Sequence, residues 1–197
     1  MKINIQETFQ NTLQGEGYHS GRPCDFIRLY GCPIGCFFCD TGYAFPDGEW
    51  YKKQISKTTR TFKELIKELK SDYVVISGGE PFIHKNLPEL CRALIDAGKD
   101  VGIETSGSFW QPIPLEAFVT LSPKWHLNLK YRVLDVFWER ANEFKLVISK
   151  GGELDCYMEK LKNFNGFLYL QPEYNDFKNS IQKTLSLKKT YNDFKLS

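Results

Sequence analysis

Three cysteines within eight residues constrain this sequence more than any other feature. Cys32, Cys36 and Cys39 have the spacing C-x3-C-x2-C, and the chain contains six cysteines in all. Gly31 and Gly35 allow the loop that carries them to curl. Thiolates select zinc or iron–sulfur clusters, and a closed site of either kind takes four protein ligands. Three thiolates therefore predict a metal site with one open coordination position.

Two other interpretations of the cysteine cluster stay open at this point. A structural zinc site could recruit Cys24, His19, His84 or His126 as a fourth ligand, although none of them has the usual paired spacing. Alternatively, the three thiols are buried without any metal.

The length and composition indicate an ordinary globular protein. We expect one domain over residues 1–197, and the net charge of +2 gives no reason to expect nucleic-acid binding. The polar N-terminus does not resemble a signal peptide, and no apolar run of about 18 residues predicts a membrane span. The other cysteines are scattered and do not suggest disulfides, so we expect a reducing, cytoplasmic environment.

Six apolar segments predict β-strands, most of them joined by helices, and this order favours parallel strands in an α/β fold. The predicted strands are 25–30, 73–76, 101–104, 118–121, 144–148 and 166–170. Helices are predicted over 61–71 from a Thr61/Glu64 capping box, from Asn86 to a stop at Gly98, over 153–164, and from 176 onward.

Polar residues follow the carboxyl ends of these strands. Each of them alone could be a turn former or helix cap, but ligands bind at this edge of parallel sheets, and together they predict a site there. They are Ser77, Glu80, Glu104, Ser106, Ser122, Lys124, Ser149, Lys150 and Gln171.

Three further features have two interpretations each. The Gln14-Gly15-Glu16-Gly17 segment is either a plain turn or a close backbone approach to a ligand. Arg28 is either a surface charge or a bidentate partner for a carboxylate. Residues 42–60 show no periodicity, and such long loops are often functional or mobile.

The cysteine spacing, together with Gly78-Gly79-Glu80-Pro81, resembles the radical S-adenosylmethionine (SAM) enzymes. The resemblance implies an incomplete (β/α)6 TIM-like barrel with reduced helix content. It also implies that three cysteines hold a 4Fe–4S cluster whose fourth iron binds SAM.

Within that superfamily the sequence closely resembles the 7-carboxy-7-deazaguanine synthases. The resemblance extends from residue 7 to 172 and rests on residues 9–17, 26–32, 39–41, 104–107, 122–124 and 170–172. It implies a carbon–nitrogen lyase of queuosine and 7-deazapurine biosynthesis. Such an enzyme converts 6-carboxy-5,6,7,8-tetrahydropterin to 7-carboxy-7-deazaguanine and ammonia.

The resemblance also implies residue roles, with no catalytic side chain beyond the cluster and cofactor. Cys32, Cys36 and Cys39 would hold the cluster, and Thr41 would bind Mg²⁺. The implied substrate-binding residues are Leu13, Gln14, Gly15, Glu16, Arg28 and Ser77. The implied SAM-binding residues are Phe38, Asp40, Gly79, Glu80, Ser106, Ser122, Lys124 and Gln171. A homodimer and a flavodoxin- or ferredoxin-type electron donor are also implied.

One departure from the family concerns the C-terminus. The family usually has a C-terminal Gln-Thr-His-Lys segment that reaches the substrate, and residues 173–197 do not contain it. We therefore expect either a sequence that is truncated relative to the family or an incomplete substrate site. Two other functions stay open: a radical SAM activase of a glycyl-radical enzyme, and a non-catalytic, zinc-stabilised binding protein. The Gln14–Gly17 segment weighs against the first, and the Gly-Gly-Glu-Pro segment weighs against the second.

Overall fold

One β-sheet organises the computed structural model of this protein, which describes residues 1–39, 57–125, 127 and 130–197. The strands of the described part are β1 Lys2–Leu13, β2 Pro23–Leu29, β3 Thr58–Thr61, β4 Tyr73–Gly78, β5 Asp100–Thr105, β6 Phe118–Leu121, β7 Glu143–Ile148, β8 Phe167–Pro172 and β9 Lys195–Leu196. Their spatial order is β3-β1-β2-β4-β5-β6-β7-β8-β9.

The six predicted strands are confirmed as β2 and β4 to β8, and all of them run parallel. The sequence did not predict β1, β3 and β9. β1 pairs antiparallel with β2 and β3, and only Ile3 and Ile5 of its twelve residues are counted in the hydrophobic core. Backbone pairing therefore defines β1, and its polar side chains give no clear strand signal. β3 also shows that part of the predicted 42–60 loop is a strand.

The helices of the described residues are short, as the predicted reduced helix content requires. They are α1 Phe62–Glu68, α2 Leu87–Asp96, α3 Asp135–Arg140, α4 Met158–Leu161 and α5 Phe177–Thr190, with 3₁₀ turns at Pro81–Ile83 and Glu153–Cys156. No helix of the described part is both long enough and apolar enough to cross a membrane.

The predicted helix boundaries are partly correct. The Thr61/Glu64 capping box is present, although α1 ends at Glu68, and Gly98 ends α2 with a φ of +78°. Asn86 lies at the start of α2 without capping it, because its Nδ2 donates to the carbonyl oxygen of Lys2 instead. The predicted helix over 153–164 is wrong. It is split at Tyr157, which is fully buried and packs against aromatic rings.

One face of the sheet is apolar and packs against the helices. Ile27, Ile76, Ile103, Leu146 and Leu170 from five parallel strands are each at most 1% exposed and belong to one core. Side chains alternate between the two faces of a strand, so the residues next to these in sequence share the opposite face.

The loop between β1 and β2, residues 14–22, connects the two sides of the sheet across this opposite face. The ring of Tyr18 stacks on Phe167 of β8 with centroids 4.0 Å apart, and the Gly17 amide donates to Ser197 Oγ, just after β9. Because β1 and β9 lie far apart in the strand order, these contacts require the sheet to curve around the loop. The result is an α/β partial barrel.

Asp25 fixes the start of β2, and we expect Asp25→Asn to destabilise the fold. Its fully buried carboxylate accepts hydrogen bonds from the amides of Asn11, Lys70 and Ser71 and from Ser71 Oγ. Burial alone would raise the pKa of Asp25, but these donors hold it below the ordinary value. An asparagine would turn an NH₂ group toward backbone donors, at a cost of about 3 kcal/mol at pH 7.

Denaturant unfolding across pH tests this expectation. A carboxylate with a depressed pKa contributes stability above its unfolded pKa of about 3.9, and this contribution is lost as the pH falls through the folded pKa. The gap in unfolding free energy between the wild type and Asp25→Asn should therefore narrow below about pH 4. The exposed control Asp155→Asn should show no gap. A constant gap across pH would contradict the assignment.

Candidate cofactor and substrate site

The cysteine loop leaves β2 at the carboxyl edge of the parallel strands, as predicted. Cys32, Cys36 and Cys39 are half-buried free thiols, and Gly31 starts the loop with a φ of +102°. Burial is the largest cause that raises the pKa of Cys32 to about 12, and the charges of Glu80, Cys36 and Cys39 contribute to this rise. The three thiols are therefore close enough to repel one another as thiolates, a cost that a bound cation relieves.

The structure does not draw these thiols around one point. Among the described residues, no group of three or more His, Cys, Asp or Glu side chains is arranged to hold a metal ion. Convergence of the three sulfurs on one cluster therefore stays a prediction. The chemistry of the donor set fits an iron–sulfur cluster, because three soft ligands lie on one short loop.

Two glycines at the end of β4, Gly78 within the strand and Gly79 after it, let the chain lie directly against the cysteine loop. A Cβ on Gly79 would be 1.8 Å from the carbonyl oxygen of Gly31, and one on Gly78 (φ +113°) would be 2.4 Å from the backbone of Leu29. The amide of Gly79 donates to Leu29 O (2.9 Å), and that of Glu80 donates to Gly31 O (2.8 Å). The Gly-Gly pair therefore fixes the segment after β4 to the start of the cysteine loop.

The Glu80 carboxylate is 1% exposed and joins the ends of β4 and β5. Its Oε1 accepts from Thr105 Oγ1 (2.7 Å) and the Phe82 amide (3.1 Å). Its Oε2 accepts from the Ser106 amide (2.8 Å) and Ser106 Oγ (2.6 Å). These four donors use the lone-pair positions of the carboxylate, so Glu80 holds Ser106 in place within the protein itself.

We expect Glu80→Gln to destabilise this corner of the site. The NH₂ group of the amide would face two of the present donors and leave them buried without an acceptor, which costs about 3 kcal/mol. Chemical denaturation of the cluster-free protein measures the loss. The matched control is Glu116→Gln, which breaks an exposed pair with Arg92 and should change the unfolding free energy by less than about 1 kcal/mol. Equal stabilities of the two variants would contradict this description of Glu80.

Lys124 is the cation beside the cysteine loop. Its Nζ donates to Ser122 O (2.6 Å) and Ser122 Oγ (2.7 Å). Burial lowers the pKa of Lys124, while the neighbouring Cys36 acts in the opposite direction. The structure thus brings together Ser122, Lys124 and the cysteine loop, as the strand-end pattern predicted.

A second group of polar side chains meets on the inner face of the sheet, and we call it the interior cluster. It comprises Gln14, Glu16, Ser77, Glu104, Lys145 and Gln171. Register explains why its strand residues share a face. Ile76 pairs with Ile103, so Ser77 and Glu104, the next residue of each strand, are neighbours. Lys145 pairs with Tyr169, which precedes Gln171 by two residues and therefore shares its face.

The interior cluster is held by direct contacts around two carboxylates. Glu104 accepts from Gln14 Nε2 (3.1 Å) and Ser77 Oγ (2.9 Å). Glu16 accepts from Gln171 Nε2 (2.6 Å) and forms an ion pair with Lys145, whose Nζ also lies 3.6 Å from Glu104 Oε1. The sequence-predicted residues Gln14, Glu16, Ser77 and Gln171 are thus brought together.

Sequence reasoning did not name Lys145 as a site residue and assigned no specific role to Glu104. Glu104 was seen only as one of several polar strand ends. Lys145 lies within the apolar strand 144–148, whose other face carries fully buried Phe144, Leu146 and Ile148. A lysine at an alternating position of a buried strand was the available signal, because an isolated buried charge is costly.

Arg28 lies on the same face as Ser77. Its Nε is 3.5 Å from Glu7 Oε1, and its guanidinium lies 5.5 Å from the centroid of the Phe9 ring. The structure supports part of each interpretation of Arg28. Its side chain lies on the face of the interior cluster, but the carboxylate that it contacts in the structure is that of Glu7.

Other predicted site residues are less clearly placed. Leu13 is 57% exposed, so its side chain does not join the interior cluster, and Gly15 has open space where a Cβ would lie. Phe38 contacts Phe37 edge to face. Asp40, Thr41 and residues 42–56 lie outside the described residues. Ser149 and Lys150 form a turn in which their amides donate to Glu153, so these two polar strand ends are turn residues.

A model of the Radical SAM superfamily matches residues 26–166 of the chain, a range that contains the cysteine loop and the parallel strands β4 to β7. The fold and the site agree with that class, and the chain belongs to the radical SAM superfamily. The structure of Streptococcus suis SuiB bound to SAM shares the fold at 12% identity and a TM-score of 0.56, over 84% of this chain and 48% of that one.

More similar proteins define the family. The chain is 37% identical over 183 residues to the 7-carboxy-7-deazaguanine synthase of Escherichia coli K12, covering 82% of this chain and 78% of the relative. It is 34% identical over 197 residues to the synthase of Aquifex aeolicus, covering 95% and 84%. The crystal structure of QueE from E. coli superposes with a TM-score of 0.81 at 31% identity over 99% and 92% of the two chains. The chain therefore belongs to the 7-carboxy-7-deazaguanine synthase family.

Proposed function

We propose that this protein converts 6-carboxy-5,6,7,8-tetrahydropterin to 7-carboxy-7-deazaguanine and ammonia, as a carbon–nitrogen lyase acting by radical ring contraction. The interior cluster is the observation that carries the proposal. Glu16 and Glu104 stand together on the inner face of the sheet, below the edge that bears the cysteine loop. Paired carboxylate acceptors suit the donor-rich, guanidine-like edge of a pterin ring.

We assign the substrate-binding residues to two parts of the pterin, its ring and its carboxylate. We assign Glu16, Gln14, Gly15 and Leu13 to the ring, with Ser77 beside them. Gln171 Oε1 is buried and has no hydrogen-bond partner within the part of the chain that the structure describes, so it remains available as an acceptor for a ligand. Arg28 is assigned to the substrate carboxylate, since a guanidinium can hold a carboxylate through two parallel bonds.

We assign the cofactors to residues of the cysteine loop and to residues that follow the parallel strands. Cys32, Cys36 and Cys39 would hold a 4Fe–4S cluster, and Thr41 would supply an oxygen ligand to Mg²⁺. When bound, the cluster and SAM supply the one-electron chemistry that removes a hydrogen atom from the substrate. We assign the rest of the SAM site to residues beside the cysteine loop or at strand ends: Phe38, Asp40, Gly79, Glu80, Ser106, Ser122, Lys124 and Gln171.

The described side chains hold these groups in fixed positions. Glu80 orients Ser106 through two hydrogen bonds, and Lys124 is oriented by Ser122 toward the cysteine loop. Lys124 contributes a positive charge beside Cys36, which favours the ionised form of that thiol. A preorganised, largely buried site limits the access of water to a reactive intermediate.

Neither alternative function is favoured. The family membership and the interior cluster do not fit a zinc-stabilised binding protein, and an activase acts on a protein rather than on a small ring. We also propose a homodimer, a flavodoxin- or ferredoxin-type electron donor and a cytoplasmic location. The single sheet that joins β1 to β9 supports one domain over residues 1–197.

The test is an anaerobic assay of the iron- and sulfide-reconstituted protein with carboxytetrahydropterin, SAM, Mg²⁺ and a reductant. We expect the deazaguanine acid to form with SAM recycled, whereas an activase would consume SAM. A protein that carries the cluster and cleaves SAM but yields no deazaguanine would refute the substrate assignment. A colourless, zinc-containing protein would refute the reaction class.

A further inference from the structure

Lys145 is the buried cation of the interior cluster. Its side chain is 5% exposed, whereas those of its partners Glu104 and Glu16 are 22% and 39% exposed. The lysine therefore lies beneath the two carboxylates, and the carboxylates extend from it toward the open side of the cluster. This gradient leaves Glu16 and Glu104 accessible to a ligand while Lys145 is covered.

The charges around Lys145 come from every element that faces it. Glu16 belongs to the loop after β1, Glu104 to β5 and Glu143 to β7 itself, while Lys124 follows β6. One of these groups, Lys124, has the same sign as Lys145 and three have the opposite sign. Removal of Lys145 would leave Glu16 and Glu104 facing each other across the space it now fills.

We propose that Lys145 is a positioning residue that holds Glu16 and Glu104 side by side and keeps Glu16 ionised, so that the pair selects a ligand edge made only of hydrogen-bond donors. This inference rests on the proposed function, because the donor edge is the guanidine-like part of the pterin. Lys145 acts through the two carboxylates and does not itself face the ligand.

The pKa shifts of Glu16 and Lys145 agree with this arrangement of the three side chains. Burial alone would raise the pKa of Glu16, but the charge of Lys145 and its hydrogen bond hold the pKa below the ordinary value. Burial alone would lower the pKa of Lys145, yet the charges of Glu104 and Glu16 raise it. Without the lysine, only Gln171 and Lys124 would oppose the effect of burial on Glu16, and the pKa of Glu16 would rise.

The experiment replaces Lys145 by methionine, which keeps the length of the side chain and removes the charge. We expect the KM for carboxytetrahydropterin to rise about 100-fold, with a small change in kcat, because the loss falls on ligand binding. The acid limb of kcat/KM should move up by about one to three pH units, since Glu16 must be ionised to accept. Lys145→Arg keeps the charge and should keep the acid limb.

Matched measurements separate this inference from the proposed function. Lys160→Met removes an exposed lysine paired with Asp135 and should behave as the wild type in every assay. An absence of product from the wild type would refute the proposed function. Independently of turnover, ¹³C NMR titration of the glutamate carboxyl groups in ligand-free protein should show a higher Glu16 pKa in Lys145→Met.

Three results would overturn the role of Lys145. One is an unchanged Glu16 titration and KM in Lys145→Met. Another is an acid limb in Lys145→Arg that moves as far as in Lys145→Met. If Lys145→Met does not fold, Lys145→Gln carries the same test, and failure of both neutral variants to fold would assign the lysine a purely structural role.

Discussion

Cys36→Ala is expected to abolish formation of the deazaguanine product. Its thiol is the middle one of three on the loop after β2, and burial raises the pKa of Cys36 above the ordinary value. A cluster held by two thiolates lacks a ligand, whereas loss of an outer-shell partner alone already costs roughly 10- to 100-fold. We therefore expect activity to fall by more than that range, together with loss of bound iron.

The control for this variant is Cys156→Ala. Cys156 is an exposed free cysteine far along the chain, and its removal should leave iron content, colour and activity unchanged. Iron and sulfide analysis, absorbance of the anaerobic protein and product formation measure both variants. If the Cys36→Ala variant retained a full cluster and normal activity, the assignment of Cys36 as a ligand would be contradicted.

The second large effect is expected from Gly79→Ala, which adds a single methyl group at the tightest contact in the site. The new Cβ would lie 1.8 Å from the carbonyl oxygen of Gly31, inside any permitted contact distance. Because the obstacle is backbone, no side-chain rotation relieves it, and the segment after β4 must move away from the cysteine loop. Overpacking of this kind costs about 3 kcal/mol, and the hydrogen bond from Glu80 N to Gly31 O would be strained as well.

Gly79→Ala should therefore lose both stability and cluster retention. Thermal or denaturant unfolding measures the first, and the iron content after reconstitution measures the second. The matched control is Gly152→Ala, where the nearest contact of the added Cβ with the described residues, chain neighbours aside, is Asp155 Oδ2 at 3.9 Å. Equal stability and iron content in the two alanine variants would show that the contact between the two segments has no such importance.

Local patterns predicted much of the fold. Apolar runs identified the six parallel strands, because each strand carries apolar side chains that pack in the core. The Thr61/Glu64 capping box and Gly98 marked helix ends through hydrogen bonds and backbone angles that depend on near neighbours only. The sequence did not predict β1, because backbone atoms, which every sequence provides, make its pairing with β2 and β3.

The sequence alone determined the chemistry of the site, because the spacing of Cys32, Cys36 and Cys39 and the Gly-Gly-Glu-Pro segment are local properties. Only the tertiary structure decided what the strand-end residues contact. In the structure Glu80 contacts Ser106, and Glu16 contacts Lys145 and Gln171. Ser149 instead belongs to a turn, where its amide donates to Glu153. The physical reason is that a strand pattern gives the face of a side chain, whereas strand order, register and curvature bring residues more than 100 positions apart into one cluster.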